Sequence, residues 1–235
     1  MGYRILFLTA LVFAFASASV VASSPGDTIG TTYYDLQTMN VAGSRICSDT
    51  LGGYHFLWMY TPDSSGAPRQ TYYNFIDEVG SKAWSAGTQV NVVDGAGFGS
   101  ITTFYNGNAA IAYHRGDTVW FAKDGSRGAG VFSLVPIPND YPGLDPGLWP
   151  KISRDSSGNF QVFMSVDEAS IAIPFVYTYS TDGGSNWETV DIADTVVNIT
   201  PTATASRVST KAACVYGRPR DPSTPDYYDC DLYYA

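Results

Sequence analysis

Only three cysteines, two histidines and three glutamates occur in the 235 residues of this chain. Cys47, Cys214 and Cys230 are too few to staple a disulfide scaffold. Cys214 and Cys230 fall on what read as successive strands of one repeat and could bridge in an oxidising compartment, which leaves Cys47 as a small, buried apolar group. His55 and His114 have no second ligand at metal-binding spacing, so structural roles are expected, with no metal and no other cofactor. A phosphate-cradling Gly-rich loop, a Ser-centred elbow and a dinucleotide fingerprint are all missing; Gly95-Ala96-Gly97-Phe98-Gly99 precedes a strand rather than a helix and reads as a loop between units. Positive charge is scarce too, with 13 basic against 22 acidic residues. A net-negative surface without a Lys/Arg cluster repels phosphate backbones, which sets aside nucleic acid and anionic membranes as partners.

The longest apolar run is at the start. Met1 and Arg4 supply a positive beginning, Ile5 to Phe15 is apolar apart from Thr9, and small residues follow. This is the pattern of a signal peptide over residues 1–22, cleaved after Ala18 or Ala22, and it is too short to span a bilayer. Residues 23–235 are therefore expected to form one exported domain, secreted or at the cell surface, extracellular or periplasmic, with no membrane insertion once the signal is removed.

Beyond residue 22, stretches with a 3.6-residue apolar period give way to short runs of Tyr, Thr, Val, Ile, Phe and Trp separated by Gly, Asp, Asn, Ser and Pro, the grammar of strands and turns. One unit recurs four times. A branched residue leads through a polar turn into an apolar strand: Ile46 to His55-Phe56-Leu57-Trp58, Ile101 to Ala110-Ile111-Ala112-Tyr113, Ile152 to Phe160-Gln161-Val162-Phe163, and Val208 to Ala213-Cys214-Val215-Tyr216. The branched residues are 55, 51 and 56 positions apart. Each hairpin is followed by an aromatic strand, at Tyr72–Phe75, Val119–Ala122, Val176–Tyr179 and Leu232–Tyr234, and a fourth strand is expected near Thr88-Gln89-Val90 and Glu188-Thr189-Val190. Four antiparallel strands per unit of about 50 residues predict an all-β fold, a β-propeller of which about four blades are present. Thr32-Tyr33-Tyr34-Asp35-Leu36 reads as a strand from the later half of a further unit, so the expectation is an incomplete propeller truncated at the C-terminus.

Ser180-Thr181-Asp182-Gly183-Gly184-Ser185-Asn186-Trp187 carries the spacing S-x-D-x-G-x-x-W in register with the repeat. An Asp two residues after Ser can accept the turn's own N–H groups, Gly supplies positive φ, and Trp folds back over the hairpin. Here the chain resembles the sialidase-like, or neuraminidase, propellers with Asp-box (BNR) repeats. Asp77 with Gly80 and Trp84, and Asp124-Gly125, look like degenerate copies. The resemblance implies a structural role for Ser180, Asp182, Gly184 and Trp187.

A sialidase needs three arginines to hold a carboxylate, a Tyr nucleophile beside a Glu, and an Asp acid/base. In the place of the family's first arginine motif stands Gly43-Ser44-Arg45-Ile46-Cys47, which keeps the Arg-Ile pair and lacks the flanking aromatic and Pro. Arg45, Arg207 and Glu168 are the candidate catalytic residues carried over, and no nucleophile can be chosen among the tyrosines. The leading expectation is thus a secreted, non-catalytic propeller module for recognition or display, with an extracellular glycan or protein as partner. The alternative is an exo-sialidase or related glycoside hydrolase with its remaining catalytic residues further along a longer chain.

Overall fold

The computed structural model describes residues 26–35, 37, 43–91, 93–166, 175–194, 202–206, 208–220 and 230–234; the signal-peptide segment lies outside them. Four antiparallel sheets follow one another along the chain. The first comprises β1 (Ile46–Ser48), β2 (Tyr54–Tyr60), β3 (Gln70–Ile76) and β4 (Thr88–Gln89). The second comprises β5 (Ala96–Thr103), β6 (Ala109–Arg115), β7 (Thr118–Asp124) and β8 (Phe132–Ile137). The third comprises β9 (Gly147–Arg154), β10 (Phe160–Val166), β11 (Phe175–Ser180) and β12 (Asp191–Asp194), and the fourth β13 (Thr202–Ala205), β14 (Ala212–Pro219) and β15 (Cys230–Tyr234). Strands lie in chain order within every sheet. Their first strands touch in succession, β1 to β5 to β9 to β13, and form an inner row. Among the described residues the sheets do not close into a ring. No helix among the described residues is long and apolar enough to cross a membrane.

Burial explains the sequence pattern. β6 from Ala109 to His114 and β10 along its whole length are buried on both faces, because a neighbouring sheet covers each side. Such strands read as continuous apolar runs instead of alternating ones. Among the described residues the first sheet has a neighbouring sheet on one side only: His55, Leu57 and Met59 of β2 are buried, whereas Tyr54, Phe56 and Tyr60 keep some exposure. Leu57, Tyr73, Ile101, Ile111 and Tyr113 fill the space between the first and second sheets. Phe121, Ile152, Phe160, Val162 and Met164 fill that between the second and third, and Phe163, Phe175, Cys214 and Tyr216 that between the third and fourth.

The turns hold through their carboxylates. In the Ser180–Trp187 turn, Asp182 Oδ1 accepts from Ser180 Oγ (2.9 Å), Ser185 N (3.0 Å) and Asn186 N (2.9 Å). These donors and Asn186 Nδ2 bring its carboxyl down to about 2. Trp187 donates Nε1–H to Gly184 O (3.2 Å), and its ring meets Phe121 of the second sheet at 5.4 Å. Between sheets the tie is ionic. Arg127, on the turn after β7, reaches back to Asp49 Oδ2 (2.6 Å) and Glu78 Oε2 (2.8 Å) and lies over the Phe75 ring. Burial alone would raise the Asp49 carboxyl, but Arg127 and the N–H groups of Gly53 and Leu51 hold it at about 2.

Several details differ from expectation. Ala96 to Gly99, read from sequence as part of a loop between units, begin β5, which pairs with β6. The hairpin bonds Asp49 N to Gly53 O, Phe104 N to Asn108 O, Asp155 N to Asn159 O and Ser206 N to Lys211 O align the four units. By that alignment the partner of Ile46, Ile101 and Ile152 is Ala203; Val208 lies in the turn beyond, 92% exposed. Its neighbours resemble a strand start only because a β-branched side chain follows an Arg. Residues 32–35 form no strand ladder and are tied instead to the end of β2, Tyr33 N donating to Thr61 O (3.3 Å). The last strand of the third sheet begins at Asp191, after Glu188-Thr189-Val190. Finally, Cys230 faces Pro219 while Cys214 lies five positions along β14. At about 3.3 Å per residue that separation is far beyond disulfide reach, so the register does not fit the bridge considered from sequence.

Candidate functional site

The alignment of the inner strands brings together residues that are far apart in sequence. One place before Ile46, Ile101 and Ile152 stand Arg45, Ser100 and Lys151. Ser100 Oγ accepts Ile152 N–H (3.2 Å) and ties β5 to β9. Two places before Ser100 and Lys151 stand Phe98 and Trp149, whose φ values are +48° and +51°. Bulky residues in the left-handed region are genuine outliers, and such strain concentrates at functional sites. Both mark a break in the ladder, between Gly97 and Ser100 on β5 and opposite Phe163 to Ser165 on β10. The break is the local cause: the extra residue re-aims the aromatic side chain at the start of the inner strand.

Around Phe98 gather the Arg69 guanidinium (5.1 Å from its ring centre), the stacked His114 ring (5.6 Å, 11° between planes) and the edge of Tyr34 (6.4 Å). Met59 Sδ accepts Phe98 N–H (3.2 Å), and Trp149 stands edge-on to His114 at 6.4 Å. Lys151 is buried, 4% exposed, and donates from Nζ to Trp149 O (3.3 Å). Burial, with Arg45 nearby, pushes its amine down to about 7. Burial likewise lowers the Arg45 guanidinium to about 10, against a small opposing effect of Tyr34.

Arg45 is the anomaly. Its Nε, Nη1 and Nη2 are all buried and none has a hydrogen-bond partner. A buried guanidinium left without an acceptor costs several kcal/mol, and the usual resolution is a carboxylate or phosphate. Among the described residues no carboxylate pairs with it. The arrangement can therefore receive an anionic group on Arg45 and Lys151, with the half-buried rings of Tyr34 and Trp149 beside it.

Of the residues singled out from sequence, Arg45 lies in this cluster. Arg207 and Glu168 fall outside the described residues. Ser180, Asp182, Gly184 and Trp187 sit together on the turn after β11, away from the inner row. At the opposite end of the inner strands, Cys47, Asp49, Thr50, Thr103, Tyr105 and Asp155 line a cavity of about 260 Å³. Asp155 there accepts Ser157 N–H and Asn159 N–H, as Asp49 accepts Leu51 N–H and Gly53 N–H. Both carboxylates are committed to their turns. Lys151, Phe98, Trp149 and Arg69 were not picked from sequence. Aligning the units by their hairpin turns would have placed Arg45 and Lys151 at one position, but nothing local marks a buried cation.

No protein-family model matches the chain, and no curated protein matches it in sequence. Solved structures do share its architecture. The "Hadza microbial sialidase Hz136" superposes with a TM-score of 0.59 at 10% identity, over 83% of this chain and 44% of that one. A protein of unknown function from Dyadobacter fermentans gives 0.55 at 12% identity, over 80% and 50%. A PL25 ulvan lyase gives 0.50 at 11% identity, over 81% and 49%. The fold is a sialidase-like β-propeller. The chain spans half or less of the length of these structures, and at such identities the likeness carries the fold and nothing finer.

Proposed function

We propose that the chain is an exported glycan-recognition module that holds a carboxylate-bearing sugar at the starts of its inner strands. The observation that carries this reading is the buried, acceptor-less guanidinium of Arg45 next to the buried amine of Lys151. A bidentate carboxylate supplies the missing acceptor, and Lys151 adds a second charge. Tyr34 and Trp149, both half-buried, offer aromatic surface to a pyranose ring, and Phe98 packs behind them. The carbohydrate-acting propellers among the structural neighbours are in keeping with a sugar as ligand. The Ser180–Trp187 turn is read as an Asp-box staple with no part in binding.

Titration calorimetry tests the reading, with the methyl glycosides of N-acetylneuraminic acid and of glucuronic acid as probes and inorganic sulfate as the control for charge alone. Binding of an acidic sugar that is lost in Arg45→Ala, with circular dichroism unchanged, is expected. Binding to wild type that survives Arg45→Ala would refute the assignment of the site.

A second reading, an exo-sialidase within a longer chain, is favoured by one observation, the place of Arg45 at the head of the first inner strand. Release of a fluorescent leaving group from a sialoside, abolished in Arg45→Ala, would establish it over the non-catalytic reading.

A further inference from the structure

Next to the cation cluster lies a second concavity, of about 280 Å³, between residues 31–33 and the end of β2, lined by Thr31, Thr32, Tyr33, Tyr60, Thr61 and Pro62. Its walls are fixed. Thr32 Oγ1 accepts N–H from both Tyr34 (3.0 Å) and Thr61 (3.2 Å), and Tyr33 N–H closes back onto Thr61 O (3.3 Å). Tyr60 is braced by Tyr72, stacked at 4.2 Å and 26°. Tyr33 is held by its backbone and yet 67% exposed. A tyrosine ring presented to solvent from an anchored backbone, beside the hydroxyls of Thr31 and Thr32, offers an apolar face and polar edges together, the combination that a sugar ring matches.

The two places are joined through consecutive residues. Tyr34 belongs to the cluster around Phe98 and Arg45, and Tyr33, one Cα step of about 3.8 Å away, lines the concavity. We propose that this concavity is a second sugar subsite, taking a neutral pyranose linked to the acidic residue held at Arg45 and Lys151. The inference rests on the reading of the first site and narrows its ligand from a monosaccharide to an oligosaccharide of acidic and neutral units.

The test compares each acidic methyl glycoside with its extended form: the N-acetylneuraminic acid glycoside with 3′-sialyllactose, and the glucuronide with an aldobiouronic acid, on the full chain by calorimetry. For the acid that binds, the extended probe should bind about 2- to 12-fold tighter, the range for one well-placed aromatic contact. Tyr33→Ala, at an exposed position where folding is not at stake, should erase that gain while leaving the methyl glycoside unaffected; Tyr33→Phe should keep it. Equal affinity of the two probes in wild type, or a gain that survives Tyr33→Ala, would overturn the subsite and leave the first site standing. Failure of every acidic probe to bind wild type would remove both.

Discussion

Replacing Arg45 by Met should make the protein more stable and a much weaker binder. The thioether chain keeps most of the methylene packing and removes the three nitrogens that find no acceptor. The fall of the guanidinium from 12.5 to about 10 corresponds to roughly 3 kcal/mol of unfavourable burial of charge. Lost contacts of the wider guanidinium take back part of this, so a net gain of about 1–3 kcal/mol is expected. For a domain of this size that raises Tm by roughly 3–9 °C. Binding of an acidic sugar should fall by about 10- to 100-fold, the weight of a charged hydrogen bond. Thermal melts by circular dichroism at pH 7, with and without added sugar, read both effects. A variant that melts below wild type would mean that Arg45 already has a favourable partner in the folded chain, and the case for a ligand there would fail.

Lys151→Met should stabilise the protein in a pH-dependent way. The folded-state amine sits near 7, well below its unfolded value of 10.5, so its penalty is fully present below pH 7 and fades as pH rises to 10.5; urea titrations should show a larger gain at pH 6 than at pH 10. By the same protonation, wild-type affinity for an acidic sugar should decline as pH rises through 7, and Lys151→Met should flatten that profile. Arg127→Ala should cost about 2–3 kcal/mol at pH 6, since Asp49 is left buried beside a weaker set of donors. Asp49 titrates near 2 in the fold and near 3.8 unfolded, so its contribution is present above pH 3.8 and lost toward pH 2, and the difference between variant and wild type should narrow over that window. Gly184→Ala should destabilise by about 2–4 kcal/mol, because φ is +82° and the added Cβ would stand 2.2 Å from Phe121 Cε1; binding at Arg45 should persist in the surviving folded fraction.

Repetition carries the fold, and repetition is visible in one dimension. Ile46, Ile101 and Ile152 head equivalent strands because the same hairpin geometry recurs every fifty or so residues, and the doubly buried β6 and β10 announce themselves as apolar runs. Turn chemistry is equally local: Ser180, Asp182 and Trp187 bond within one short segment, so spacing suffices to find them. Where a local cue is ambiguous, sequence and structure part: at Val208, whose Arg–β-branched pair imitates a strand start, and at Thr32–Asp35, where ties to Thr61 replace a ladder. The candidate site belongs to tertiary structure. Arg45 and Lys151 are 106 positions apart, and neither is unusual until adjacent inner strands bury both. Phe98 and Trp149 gain their meaning from two ladder breaks that no propensity encodes. Whether a cation is solvated or sequestered depends on what neighbouring strands place around it, and the strands are legible in sequence where that enclosure is not.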